Sequence, residues 1–148
     1  MAPRTLLDTD IFSELMRGKN EVVRARANAY LKQQGRLTIS TITVLEITKG
    51  LHKMRREEAL GRFIQDLDSL EIISLGREES LVGGRIYGDL ERLGQPIGRA
   101  DPMIAGIAIF HGLVLATGND EHYARIRAAG YDLASDNWRF AATEPTSP

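Results

Sequence analysis

Three carboxylates stand at the junctions of three different segments. Asp8 closes a short apolar run, Glu46 lies early in a helical stretch, and Asp101 opens another. Acids repel one another, so gathering them costs a folded chain free energy unless a cation lies between them. If folding unites the three, the set suits a hard divalent metal, and metal-assisted phosphodiester cleavage is the leading chemistry. A site made only of carboxylates selects Mg2+ or Mn2+ over softer metals. Other chemistries lack their residues. His52, His111 and His122 are too far apart for a local zinc motif and read as peripheral, and there is no cysteine. Serine-nucleophile motifs and phosphate-cradling glycine loops are absent as well.

Each acid also has a plainer reading. Asp8 and Asp10 suit the cap of a first helix, and Asp101, just before Pro102, reads as the N-cap of a helix over 102–110. Capping does not exclude function, because one carboxylate oxygen can take a backbone N–H while the other binds a metal. Glu46 lies in the apolar stretch Ile42-Thr43-Val44-Leu45, which predicts burial. A carboxylate there needs a metal, a proton or a partner such as Lys49 at i+3.

The elements that must position these residues follow from periodicity and punctuation. Strands are predicted over Thr5–Leu7, Leu37–Ser40, Glu71–Leu75 and Leu113–Ala116. Helices are predicted over Asp10–Met16, stopped by Gly18, and from an Asn20 cap to Gln34, stopped by Gly35. A third follows a Ser40 or Thr41 cap. Leu60, Phe63, Ile64 and Leu67 mark a fourth, and Val82, Ile86, Leu90 and Leu93, with Leu81 at the margin, mark a fifth over Glu78–Leu93. Gly83, Gly84 and Gly88 weaken that helix and predict a close packing contact along it. The segment 102–110 is apolar nearly all round and belongs in an interior; a last helix spans Asp120–Ala129, ended by Gly130.

Strands alternating with helices predict an α/β fold, a mainly parallel sheet covered on both faces. Ligands of such sheets bind beyond the carboxyl ends of the strands, where Asp8, Glu46, Asp101 and the run Thr117-Gly118-Asn119-Asp120 all fall. At 148 residues, one domain over 1–140 is expected, with a disordered tail over 141–148. No membrane span or export signal is expected, and the absence of cysteine is compatible with a reducing cytoplasm. A net charge of −1 gives no support to nucleic-acid binding. The basic run Lys49, Lys53, Arg55 and Arg56 reads either as a local RNA-facing patch or as a solvated helix face.

Four stretches, in order, carry a resemblance: Leu-Leu-Asp8-Thr-Asp10-Ile, Ser40 to Gly50 around Glu46, Pro96 to Gly106 around Asp101, and Leu115 to Tyr123, with a late Asp136-Asn-Trp138. Together they resemble the PIN-domain ribonucleases, and most closely the VapC-type toxins of bacterial toxin–antitoxin pairs. The resemblance covers about residues 5 to 139. It implies a three-layer α/β/α sandwich and an acidic site of Asp8, Glu46 and Asp101 binding Mg2+, with Asp8 and Asp101 as the most direct metal ligands. The family often places a fourth acid two residues after the threonine, where this chain has Asn119 followed by Asp120. Either Asp120 completes the catalytic set or Asn119 orients a water, and Thr117 would support the same edge by hydrogen bonding. The resemblance further implies an RNA substrate such as transfer RNA, a cytoplasmic homodimer, and a cognate VapB-type antitoxin whose tail fills the active-site groove.

Two alternatives remain at this level. Leu7-Asp8-Thr9-Asp10 also resembles the nucleophile loop of haloacid-dehalogenase phosphotransferases, in which Asp8 would be phosphorylated, although no lysine follows Lys53. A PIN-like module binding RNA or protein without cutting it is the other.

Overall fold

The computed structural model describes residues 3–142, so most of the expected tail, from 143 onward, lies outside the described residues. Strand β1 (Thr5–Leu7) leads into α1 (Thr9–Arg17) and α2 (Glu21–Gln34). Then come β2 (Thr38–Ser40), α3 (Thr41–Lys53), α4 (Glu57–Asp66), a short 3-10 turn and β3 (Glu71–Ile73). The second half holds α5 (Arg77–Arg92), α6 (Ala100–His111), β4 (Val114–Ala116), α7 (Asp120–Ala128) and β5 (Ser135–Asp136). All pairings are parallel, in the order β3-β2-β1-β4-β5. No helix among these residues is long and apolar enough to cross a membrane.

Side-chain alternation along the strands divides the core in two. Leu7, Ile39 and Ala116 face α1 to α4, where Ile11, Phe12, Val23, Phe63 and Trp138 pack. Leu6 and Leu115 face α5 to α7 and meet Ile86, Ile104, Ile107, Tyr123 and Ile126. The result is the expected α/β sandwich. The two-residue β5, too short to leave a periodic signal, was not anticipated.

The caps follow local chemistry. Asn20 accepts the N–H groups of Val22 and Val23, Ser40 accepts that of Thr43, and Gly18 closes α1 at φ 68°, a conformation that favours glycine. Two expectations need correction. Helix α6 begins at Ala100 with Arg99 as its cap residue, so Asp101 lies inside its first turn and is not the N-cap. Pro102 is tolerated there because the first N–H groups of a helix have no intrahelical acceptor. Leu93, placed on the buried face of α5, follows the helix end and is more than half exposed.

Of the three α5 glycines, Gly83 alone makes a close contact. A Cβ there would lie 3.1 Å from the Pro102 carbonyl oxygen, whereas Gly84 and Gly88 face open space. From the other side, a Cβ on Gly106 would come within 2.8 Å of the Glu79 oxygen and the Gly83 Cα. Gly106→Ala is expected to destabilise the protein by about 1–3 kcal/mol, because the obstacle is backbone. Gly84→Ala should stabilise it by up to about 1 kcal/mol, from helix propensity. Urea unfolding of both variants measures this, and an undiminished Gly106→Ala midpoint would refute the tight packing.

Candidate active site

The chain leaves β1 to build β2 and β3 on one side, then returns to place β4 and β5 on the other. The crevice beyond the carboxyl ends of β1 and β4 is therefore a topological switch point, where α/β sheets bind ligands. Asp8 occupies it directly after β1. Its backbone N–H donates to Ala116 at 2.8 Å, and its side chain caps α1 by accepting the Thr9 N–H at 2.8 Å. The other carboxylate oxygen accepts the Thr117 hydroxyl at 2.8 Å and the Tyr123 hydroxyl at 3.1 Å. Only 3 % of Asp8 is exposed.

Asp101 comes to the same place from α6. Tyr123 Oη lies 3.3 Å from its Oδ1, so one buried phenol links the two acids. Its Oδ2 meets Nδ1 of His122 at 2.5 Å. The histidine expected to be peripheral thus touches a site carboxylate. Neither His122 nor Tyr123 was read from sequence as a site residue, although both close the Leu115 to Tyr123 stretch. A tyrosine three residues before Ile126, on the one apolar face of an otherwise polar helix, was the available signal, since a buried hydroxyl needs a polar partner.

Glu46 joins the group at one remove. Its Oε1 accepts the Thr9 hydroxyl at 2.7 Å, while Thr9 Oγ1 lies 2.9 Å from Thr43 Oγ1. The predicted burial is only partial, because Leu45 turns outward, 62 % exposed, and Glu46 is half-buried. Its partner is Thr9 and not Lys49. Thr117 is fully buried, donates to Asp8 and accepts the Asn119 N–H at 3.0 Å. Asn119 and Asp120 are exposed at the start of α7, and neither side chain is hydrogen-bonded to Asp8, Glu46 or Asp101. Asp10, read from sequence only as a cap or part of a nucleophile loop, stands beside the site, its Oδ2 accepting the Gly118 N–H at 2.9 Å.

Electrostatics set this cluster apart from ordinary caps. Burial, and then the charges of Asp10 and Asp101, push Asp8 up from its ordinary 3.8 to about 7, against hydrogen bonds from Thr117 and Thr9. Burial likewise raises Asp10, with Asp101 adding to the effect. Burial and the charges of Asp8 and Asp101 hold the Tyr123 phenol well above its ordinary value, so it remains a donor. The donor set is entirely hard oxygen, and its net negative charge fits a hard divalent cation. Among the described residues, however, no three acids or histidines converge closely enough to hold an ion together. The close pair is Asp8 and Asp101.

Residues 5–129 match the PIN domain family. The chain belongs to that family, as a VapC-type ribonuclease toxin. It is 30% identical over 137 residues to the tRNA(fMet)-specific endonuclease VapC of Shigella flexneri, covering 90% of this chain and 96% of the relative. Ribonuclease VapC1 of Haemophilus influenzae (strain R2866) is 30% identical over 134 residues, with the same coverage. Among solved structures, DNA-bound VapBC from Salmonella typhimurium superposes with a TM-score of 0.79 at 30% identity, covering 93% of this chain and 99% of that one. These matches set aside the phosphotransferase reading of Asp8 and the non-cutting module. In this VapC-type endoribonuclease, the crevice between β1 and β4 is the place where the acids meet.

The raised Asp8 has a stability consequence. A carboxyl whose folded-state value lies above its unfolded one stabilises the fold fully below the unfolded value, and the contribution is lost as pH rises through the folded one. The window runs from 3.8 to about 7. Without divalent metal, Asp8→Asn is expected to exceed the native chain in stability by on the order of a few kcal/mol at about pH 8, with the gap closing toward about pH 4. Thermal melts in chelator across that range test it, and a gap independent of pH would refute the assigned cause.

Proposed function

We propose that this VapC-type ribonuclease cuts transfer RNA with Mg2+ or Mn2+ held by Asp8 and Asp101, Glu46 contributing from α3. The observation that carries the reading is the meeting of Asp8 and Asp101 at one tyrosine hydroxyl, in a crevice where burial and like charge leave Asp8 poised near neutrality. When bound, the cation would activate a water and offset charge on the phosphate. The remaining roles belong to the protein. Thr117 and Tyr123 orient the Asp8 oxygen, His122 orients Asp101, and Thr9 holds Glu46 toward the site. Asp120 and Asn119 flank it from the solvent side, where Asp120 completes the acid set on approach of substrate. The substrate class is supported by the Shigella flexneri relative, a tRNA(fMet)-specific endonuclease.

A groove of about 430 Å³ leaves the site at Thr9 and Glu46 and runs between α1, α3 and α4. Met16, Leu51, Met54 and Phe63 give it an apolar floor and walls, and Arg56 and Arg62 lie along it. An amphipathic peptide suits such a lining. We assign it to the tail of a VapB-type antitoxin, a reading supported by the VapBC assembly of the Salmonella typhimurium structure. A homodimer acting in the cytoplasm belongs to the same reading.

Asp101→Asn is expected to cleave initiator transfer RNA more than about a hundredfold more slowly than the native chain while keeping its fold. Chelation should abolish native cleavage, and Mg2+ should restore it and raise the melting temperature of the native chain more than that of the variant. Asp120→Asn should cost less than about tenfold, because Asp120 is exposed and makes no hydrogen bond to the acid pair. Cleavage at the native rate by Asp101→Asn would overturn the assignment.

A further inference from the structure

The carboxylate cluster has one strong cation beside it, supplied by the far end of the chain. Arg139 follows Trp138, which is buried against Tyr30 with Arg26 over its ring. Arg26 also pairs with Asp136 and donates to the Phe140 carbonyl at 2.9 Å, so the segment is bound on both sides of Arg139. From this fixed base, Arg139 Nε donates to Glu14 Oε2 at 2.7 Å, and Nη2 lies 3.7 Å from Asp10 Oδ2. Among the described residues no other arginine or lysine nitrogen lies within 4.0 Å of the carboxylates of Asp8, Asp10, Glu46 or Asp101.

The loop after β4 is shaped to admit this guanidinium. A Cβ on Gly118 would lie 2.0 Å from Nη1 and 2.7 Å from Cζ of Arg139. Gly118 does not adopt a positive φ, so the lack of a side chain here serves space and not backbone conformation. The guanidinium carries five N–H donors. Only the one on Nε is hydrogen-bonded among the described residues, and the side chain is 39% exposed. Four donors on a planar cation, carried by a backbone segment tied down on both sides, therefore stand between Gly118 and Asp10, at the edge of the acid cluster. The close ion pair of Arg139 is made through Nε to Glu14 at 2.7 Å, which leaves the Nη nitrogens turned toward Gly118 and Asp10.

We infer that Arg139 is a substrate-positioning residue, receiving through its Nη donors an RNA phosphate next to the one being cut. A planar fork of donors matches phosphate oxygens bidentately. A cation at the acid cluster also answers the problem posed by a net charge of −1, because Arg56 and Arg62 lie along the neighbouring groove and not against Asp8, Asp10 or Asp101. This assignment rests on the ribonuclease reading of the same site.

The test uses the full chain carrying Asp101→Asn, so that RNA is bound without being cut, with an initiator transfer RNA transcript as probe. Adding Arg139→Gln is expected to weaken binding by about tenfold. It should also reduce the slope of log Kd against log salt by about 0.7–0.9, the signature of one lost phosphate contact. Arg139→Lys should keep the slope and recover part of the affinity, which a merely structural role would not produce. Gly118→Ala, whose Cβ would displace the guanidinium while leaving its charge and would also press on Asp10 Oδ2 at 2.9 Å, should weaken binding at least comparably. In the cleaving protein, Arg139→Gln should raise KM more than it lowers kcat. Native Kd and salt slope in both Arg139→Gln and Gly118→Ala would overturn the proposal. A native chain that binds this RNA through Arg139 yet never cuts RNA would instead overturn the nuclease reading.

Discussion

A buried carboxylate at the end of the central strand is the constraint around which this fold is arranged. Asp8 cannot be left without donors, because stripping an acid of water without replacement hydrogen bonds is expensive. Three elements supply them: the first turn of α1 through Thr9, the loop after β4 through Thr117, and α7 through Tyr123. The sheet order makes this possible, since β1 lies between β2 and β4 and only its neighbours can reach its carboxyl end. The two core layers then hold those elements in register. Tyr123 belongs to the layer under α5 to α7 and Ile11 to the opposite one, so both faces of the sheet act on one side chain.

Donors alone do not neutralise the site. Asp10 and Asp101 add like charge, and the hydrogen bonds to Asp8 pull its acidity only part of the way back. The strain is specific to this corner: Glu14, Glu71 and Asp89, each with hydrogen-bonding partners at the surface, are all pulled below their ordinary values. Asp8 and Asp10, by contrast, are raised by burial and by neighbouring like charge, a deficit that a bound cation would relieve.

How much of this was legible in the sequence depended on range. Caps and strand ends are local, so Asn20, the Ser40 or Thr41 choice for α3 and the position of Asp8 after β1 could be read directly, and Ser40 is the cap that forms. The fold class followed from the same punctuation. Asp101 was misassigned as a cap because proline is favoured at the first helical position, whereas α6 starts two residues before Pro102. His122 was dismissed because zinc motifs were the only histidine chemistry that spacing can reveal. Its contact with Asp101 spans 21 residues and exists only once α6 and α7 pack. Glu46 was expected to be buried from apolar density alone, but density does not say which face of α3 looks inward. Arg139, in a segment quoted only up to Trp138, has no local signature.

The placement of Asp101 depends on how closely α5 and α6 pack. Helix α6 presses against α5 where glycines remove the side chains between backbones, with Gly83 against Pro102 and Gly106 against Gly83 and Glu79. The first of these contacts lies one residue from Asp101. The distance between the helices therefore determines where that carboxylate sits relative to Tyr123 and His122, whose contacts at 3.3 Å and 2.5 Å leave little slack. A movement of α6 by a single ångström would exceed the tolerance of both hydrogen bonds. The near-continuous apolar surface of α6, with Ile104, Ala105, Ile107 and Ala108 fully buried, resists such a movement from every side. The glycine contacts thus fix where α6 sets Asp101 relative to Tyr123 and His122.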